Sequence, residues 1–572
     1  MEQGGTSLRR PSGLMADMRS ASFDYEFIEG ARRSFAHGLV SHHVLDDRTY
    51  PSSESEDSDA NDLAEPFIEH TPGPGRPGRR KASAKWSRGW RSLWGRLARG
   101  WRLWLVLAIG VAVKATPPPA AVTPKAWDLM AIFSATIAAI LIEALPTGAA
   151  AFLGLCATVV TGSLSFEQAF SEFSTEGPWV VATSIFLAGG INKTGLGRRL
   201  ACLLVSLFGS STLGLTYSLV FSELLLAPAI PSVAARAGGI MLPICVSLAE
   251  ACGSVVEDGT ERELGAYLIV TLYQTSSVTS SMFLTASSAN PLSQSLGSLL
   301  ADADITWLKW AGGAILPGLV NITLIPVLLW ALYPPKLKRT AEARELARIE
   351  MRALGPMTKD EWVLVVALLG TVVLWVLGSF FSISLVASAG VGLAMLLLTN
   401  VITWDDCISN QVAWDAFTWI AALASMAAAL NDMGVLSLFS DAVSGLVDRM
   451  HSQMGDVGET WWVTVAILTV LYIYTHYFFA GAVSHVAALY QSFVGMAMDA
   501  KCPPLLSALL FAYNSNILGG LTHYSQSHSP MFYSRGYVPL KTFLGLGLVV
   551  SVLNIAVWLG VGALWWKVLG LY

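Results

Sequence analysis

Charged residues are scarce in this chain: only 13% of its 572 residues are Asp, Glu, Lys or Arg, against about a quarter in ordinary soluble domains. With 53% of residues hydrophobic, that shortage excludes a soluble multidomain enzyme, a fibrous protein and a disordered scaffold. Cysteine is sparse too. The six (Cys156, Cys202, Cys245, Cys252, Cys407 and Cys502) show no CxxC spacing, which leaves them as small apolar side chains rather than a disulfide framework or a metal site. No P-loop, HExxH or dinucleotide fingerprint is present, so an ATP-driven pump within this chain is excluded and no cofactor is expected. The first 43 residues contain no apolar core of the kind a cleaved secretory signal carries. They mix Arg with Asp17, Asp24, Glu26 and Glu29, which does not fit an acid-poor plastid or mitochondrial transit peptide. The net charge of −5 decides little.

What is present is a polar first hundred residues and then one apolar stretch after another. Residues 1–75 read as a disordered, acidic cytosolic tail. Its stretch from Ser52 to Asp59 is solvated, either an inert acid run or a cluster of phosphorylation sites. Residues 76–100 are basic and Trp-rich: between Arg76 and Arg102 there are ten Lys or Arg and no acid, with Trp86, Trp90, Trp94, Trp101 and Trp104 at helical intervals. This suits an interfacial helix on an anionic leaflet, so the expected partner is membrane lipid and not nucleic acid. Basic residues beside a first span place the N-terminus in the cytosol.

A spanning helix needs about 20 apolar residues. Candidates lie near 101–116, 126–145, 147–162, 178–192, 212–227, 262–288, 308–333, 361–379, 384–402, 414–431, 460–479 and 540–569, with shorter pieces near 199–208, 238–252, 435–447, 481–499 and 503–518. The short ones suggest half-helices or re-entrant hairpins, which survive at membrane depth only against protein or a cavity. Two halves are visible, 101–335 and 361–572, joined by a basic cytosolic linker at 336–360. At a constant offset of 239, VVATSIFLAGGINKTG (180–195) matches WIAALASMAAALNDMG (419–434), so that Asn192 meets Asn431 and Gly195 meets Gly434. Odd numbers of spans per half would make the repeats inverted.

Each half carries two interrupted apolar runs, and corresponding breaks in two halves point to a transporter's substrate site. The first is APAIPSVAARAGG (227–239): the prolines break helical hydrogen bonding, and a helix restarting at Ser232 presents free N–H groups to an anion. Arg236 offers a planar fork for a carboxylate; the alternative is pairing with an acid such as Glu223. The second, FLTASSANP (283–291), follows a run of hydroxyl residues, with Ser288 and Asn290 at the break. In the second half the counterparts are FAGAVSH (479–485), with Ser484, and YNSNILGGLTHYS (513–525), with Asn514, Asn516 and Thr522. For His485 and His523 a core histidine bonded to its neighbours is the plain reading.

The runs PSVAARAGGIMLPI (231–244), SSMFLTASSANPL (280–292), THYFFA (475–480) and YNSN…GGLTHYS (513–525) resemble the divalent anion–sodium symporter family. The resemblance covers about 125–565 and is nearest to its branch of plastid 2-oxoglutarate/malate translocators and bacterial citrate/succinate antiporters. It implies an all-α polytopic membrane protein built on two inverted repeats with re-entrant hairpins and broken helices. It further implies a homodimer, with a fixed scaffold and an elevator-like transport domain that holds di- or tricarboxylates at the hairpin tips. On that footing Ser232, Arg236, Ser288, Asn290, Ser484, Asn514, Asn516 and Thr522 are the expected substrate-binding residues, with no metal and no catalytic residue. Sodium-coupled members carry Ser-Asn-Thr at both tips. Here the first tip reads Ser232-Val233-Ala234, with Ala234 where the branch has Thr, and the second lacks the triplet. The expectation is therefore dicarboxylate exchange, with sodium-coupled symport as the alternative and a channel or membrane-embedded enzyme behind both. The resemblance suggests a plastid inner envelope and the acidic N-terminus a plasma or internal membrane; the sequence leaves both open.

Overall fold

The computed structural model describes residues 100–119, 122–435, 461–479 and 481–572. The acidic tail, the basic segment up to Arg99 and the apolar piece 436–447 lie outside the described residues. Among the described residues regular structure is helical, apart from one isolated bridge between Ser211 and Arg339. Eight helices are long and apolar enough to cross a membrane, and the chain is an all-α, multi-pass membrane protein.

The principal helices of the first half are α1 (Pro124–Leu141), α2 (Thr147–Val160), α3 (Glu176–Thr194), α4 (Leu196–Phe208), α5 (Thr212–Leu226), α6 (Leu242–Ala251), α7 (Gly265–Met282), α8 (Ala289–Ala301) and α9 (Trp307–Leu332). The linker forms α10 (Ala341–Leu354). The second half contributes α11 (Lys359–Phe381), α12 (Leu385–Leu398), α13 (Gln411–Asp432), α14 (Trp461–Thr475), α15 (Gln491–Asp499), α16 (Pro504–Ile517), α17 (Leu540–Ala556) and α18 (Gly562–Val568).

The 239-residue offset holds in three dimensions. Helices α3 and α13 are each followed by a left-handed glycine, Gly195 at φ +75° and Gly434 at φ +74°, a conformation that costs a Cβ-bearing residue but not glycine. The two helices run antiparallel. Lys193, at the end of α3, pairs at 2.7 Å with Asp406, just before α13. At the opposite end the Glu172 N–H donates to Ser425 on α13. The repeats are therefore inverted. Asp406 lies outside the spans, and the Lys193 ammonium together with Thr403 holds its carboxyl down to about 2. Both partners are half exposed, so the pair marks proximity more than it adds stability.

Space divides the chain differently from sequence. One body joins α1–α3 to α11–α13, with α13 lying on α2 and α3, and α12 on α3. The other joins α4–α9 to α14–α18: α4 packs on α5, α7 on α9, α5 and α16, and α8 lies along α16. Each body is thus assembled from both halves. They meet along a seam where α8 crosses α3 and α13, and α9 meets α11. A cavity of about 420 Å³ opens in that seam between Ser171, Glu172 and Thr175, the α8 residues Ser295 and Leu299, and Asp432.

The basic linker is a folded strap. Helix α10 is amphipathic, burying Ala343, Leu346, Ala347 and Glu350, and it packs across α4 and α6 of the second body. Buried Arg199 on α4 donates to Glu361 at 2.6 Å and to the Gly355 carbonyl at 2.7 Å, while its neighbour Arg198 pairs with buried Glu350.

Candidate membrane-embedded site

The four interruptions fall into two matching pairs. In the first half α5 tightens into a 3₁₀ turn at Ala227–Ala229, Ile230 is extended, and the chain restarts in a wide π-helical stretch (Ala234–Met241) leading into α6. In the second half α14 tightens at His476–Phe478, Phe479 is extended, and Ala482–His485 restarts into a π-helical turn at Val486–Tyr490 before α15. Pro228 and Pro231 account for the first break, since neither can donate to the preceding turn. The other pair repeats the scheme without π turns: α7, extended Phe283 and a turn at Leu284–Ala286 precede α8, while α16 ends in a turn at Leu518–Gly520. The breaks free backbone groups inside the second body, where side chains must satisfy them.

Arg236 does most of that in the first half. It is wholly buried, as is Glu223 on α5, and its Nε donates to Glu223 Oε1 at 2.5 Å. Nη1 donates to the carbonyls of Ile230 (2.6 Å) and Ala286 (2.8 Å), and Nη2 to Ser280 Oγ (2.9 Å). Thr279 donates to the second Glu223 oxygen. Of the two sequence readings of Arg236, the structure realises the pairing with Glu223. Four of its donor directions end on protein, and it clamps the two first-half breaks together.

Asn290 and Asn516 tie the halves. Both are fully buried, and Asn516 Nδ2 donates to Asn290 Oδ1 at 2.5 Å. Asn290 Nδ2 donates in turn to the carbonyls of Ser280 and Phe283, both at 2.9 Å. Asn514, two residues away, donates back to Leu510. Thr522 is held through its carbonyl by the Tyr273 hydroxyl at 2.6 Å. Ser232 accepts from the Ala235 N–H as a helix cap, Ser484 donates to Gly481 O, and half-buried Ser288 starts α8 without a side-chain cap bond. The short Ala482–His485 helix carrying Ser484 packs on α8 and α16. All eight expected residues therefore belong to the second body, on its four breaks.

The close approach at the last break demands glycine. A Cβ on Gly519 would fall 2.1 Å from Gln526 Nε2, and one on Gly520 2.2 Å from Gln274 Oε1, whose amide donates to the Gly520 carbonyl. Gly520→Ala is expected to displace Gln274, cost about 1–3 kcal/mol, and lower the unfolding temperature of the purified protein; an unchanged melting curve would contradict that packing.

Comparison with known proteins turns this geometry into an assignment. The sodium:sulfate symporter transmembrane region family matches residues 97–572. The chain belongs to that family. Relatives of this symporter-family chain include dicarboxylate transporter 1, chloroplastic, of Spinacia oleracea, 48% identical over 81% of this chain and 80% of that one. The protein of the same designation from Arabidopsis thaliana is 47% identical over 82% of each. An L-tartrate/succinate antiporter of Shigella sonnei is 31% identical over 82% of this chain and 98% of its own. As a member of the sodium:sulfate symporter family, the chain is a membrane transporter and not an enzyme.

Several atoms of this symporter-family site are buried without a protein partner: Asn514 Oδ1, Asn516 Oδ1, Thr522 Oγ1, Gln274 Oε1 and Gln526 Oε1. The carboxamide oxygens only accept, whereas Thr522 can also donate. Helices restart at the breaks at Ala234, Ala482 and Ala289, and the first turn of a helix leaves N–H groups without intrahelical partners. The sequence reading missed Tyr273, Gln274 and Gln526. Gln274 and Gln526 are the two long amides flanking the site, one just before the hydroxyl run of α7 and one just after the last quoted motif. A search for polar residues around the motifs, not only within them, would have found both.

Proposed function

We propose that the chain exchanges one dicarboxylate for another across its membrane by alternating access, as a homodimer whose second body moves with the substrate. Ser232, Ser288, Asn290, Ser484, Asn514, Asn516 and Thr522 line the substrate's position, and Arg236 acts by holding the first tip. The observation carrying this reading is the cross-half bond from Asn516 to Asn290, which joins two of the four breaks, the other two reaching them through the Arg236 bond to Ala286 and the packing of Ala482–His485 on α8 and α16. The relatives' names supply the substrate class and the antiport. Even on the mildest scales a charged side chain at the bilayer centre costs roughly 3 kcal/mol. A helix N-terminus returns about 0.3–1 kcal/mol, and up to ~2 in partly buried geometries. Three restarting helices return about 1–3 kcal/mol, and up to ~6 in the most favourable geometry, against roughly 6 for two charges, so hydroxyl donors supply the remainder. An empty site leaves those dipoles unmatched, and this opposes crossing without cargo.

The seam supports a moving body, because the contact of α8 with α3 and α13 is interrupted by the open cavity. Arg236 favours exchange over sodium coupling. The carbonyls of Ile230 and Ala286 and the Ser280 hydroxyl, which could gather a cation, are already bonded to a permanent one. A second reading, sodium-coupled symport, is favoured by the bare carboxamide oxygens of Asn514 and Asn516, which suit a hard cation. Proteoliposomes preloaded with malate are expected to take up labelled malate equally well in sodium and in choline, while empty vesicles take up little. Sodium-dependent uptake into empty vesicles would install the symporter reading instead.

A further inference from the structure

Three histidines lie fully or almost fully buried beside the site: His476, His485 and His528. The protonation of each ring follows from its neighbour. His476 Nε2 meets the Ser525 carbonyl at 2.7 Å; a carbonyl only accepts, so Nε2 carries the hydrogen. His485 Nε2 meets Thr475 Oγ1 at 3.0 Å, and that hydroxyl spends its one hydrogen on the Tyr472 carbonyl. His528 Nε2 meets Ser276 Oγ at 3.1 Å, and Ser276 likewise donates to the Tyr273 carbonyl. In each case Nε2 must donate. Each Nδ1 is then a bare lone pair, and none of the three has a partner.

A buried acceptor without a donor is costly, and each of these rings keeps one lone pair open to a proton. Their surroundings separate them. His528 is bonded to Ser276, one helical turn from the Ser280 hydroxyl that accepts from the Arg236 guanidinium. His476 and His485 face each other with ring centroids 5.1 Å apart, and His485 is otherwise enclosed by the rings of Tyr472 and Phe479. Among the described residues neither ring is in an ion pair. Of the elements packed on Ala482–His485, α8 carries no charged residue and α16 only Tyr513 as a titratable group, while α1 carries Lys125 and Asp128 in its first two turns, Asp128 being paired with Lys114. Near the His476 side of the pair stand His523 and Tyr524, whose hydroxyl donates to the Tyr477 carbonyl. The charge nearest this pair in the working protein would be the substrate itself, since Ser484 adjoins His485 in the chain and Thr522 lies three residues from the Ser525 carbonyl that holds His476.

We propose that the His476–His485 pair takes up one proton as the dicarboxylate binds and carries it across with the substrate. The inference rests on the site proposed above. The proton comes from water on the loading side, forms an N–H bond at one Nδ1 while Nε2–H stays in place, and returns to water when the substrate leaves. No other bond changes. The two rings share one proton, because two imidazolium ions at this spacing repel each other strongly in a site shielded from water. The dianion's field favours that imidazolium, and by linkage the proton strengthens dianion binding equally.

Calorimetric titration of malate into the purified full-length protein near neutral pH, in two buffers of different ionisation heat, counts the protons taken up. About one proton per malate is expected at most, and clearly more than zero. His485→Gln and His476→Gln each keep a donor near the Nε2 position and remove one of the two rings; the double variant, with neither ring left to titrate, is expected to cut the uptake at least fivefold while malate-for-malate exchange continues in proteoliposomes. Zero proton uptake by a wild-type protein that binds malate overturns the proposal, as does undiminished uptake in the His476→Gln/His485→Gln double variant. If malate neither binds nor exchanges, the site reading itself fails and this inference with it.

Discussion

Arg236→Ala is expected to yield a chain that does not survive purification in folded form. The substitution strands the Glu223 carboxylate, 1% exposed, beside the Thr279 hydroxyl alone, and it orphans the carbonyls of Ile230 and Ala286. Removing one partner of a buried ion pair costs about 3–5 kcal/mol, a large part of the 5–15 kcal/mol that ordinarily holds a domain folded. Glu223→Ala should fail for the mirror-image reason. The double variant Glu223→Gln/Arg236→Met removes both charges and is expected to recover most of the lost stability. It should nevertheless exchange malate at least tenfold more slowly, because nothing then clamps the first tip to the second break. Thermal unfolding in detergent and exchange in proteoliposomes read the two effects separately. A stable Arg236→Ala protein would show that the guanidinium is not the clamp described.

The second large effect is expected at the bond between the halves. Asn290→Ala strips Asn516 Nδ2 of its acceptor and Asn516→Ala strips Asn290 Oδ1 of its donor, and each is expected to reduce malate exchange by about a hundredfold, equivalent to roughly 2.7 kcal/mol. The double variant should lose little more than either single one, since the two groups act through one bond and their effects are not additive. Asn516→Asp is the sharper probe. It keeps the shape of the side chain but replaces the donor to Asn290 Oδ1 with a negative charge where a dianion is proposed to sit, so exchange should be lost. Normal exchange by Asn516→Asp would remove Asn516 from the substrate's position.

The breaks were legible because their residues are chemically unlike the rest of the chain. Two prolines within four residues, or Ser-Ser-Ala-Asn-Pro in an apolar run, cannot continue a helix, and each does interrupt one in the structure. The repeat was legible through Gly195 and Gly434, whose left-handed backbone only glycine adopts freely. Other features were hidden because they depend on which distant segments meet. Arg236 and Glu223 are thirteen residues apart, and the sequence allowed both a substrate-facing and a paired arginine; the geometry of the 3₁₀ turn between them decides. The division into bodies was illegible, since the basic linker separates halves while the packing draws each body from both. The buried glutamines gave little sign, a lone Gln274 before a run of serines and threonines reading as part of one polar face. The linker was read from charge alone, and its helix α10 was missed although Ala343, Leu346, Ala347 and Glu350 form one buried face.

The interleaving of the halves also imposes an order on synthesis. A ribosome delivers α4 to α9 to the membrane before any of α14 to α18 exists, so the second body waits half-built during translation. Glu223, Arg236, Thr279, Ser280 and Ala286 all lie in the part delivered first. The embedded charges can therefore neutralise each other without help from the rest of the chain. The hydrogen bonds between carboxamides that close the body, Asn516 to Asn290 and Asn321 to Asn554, must wait for the later helices. The nascent chain is thus left exposing uncharged amides to lipid, which the bilayer tolerates far better than a bare guanidinium or carboxylate.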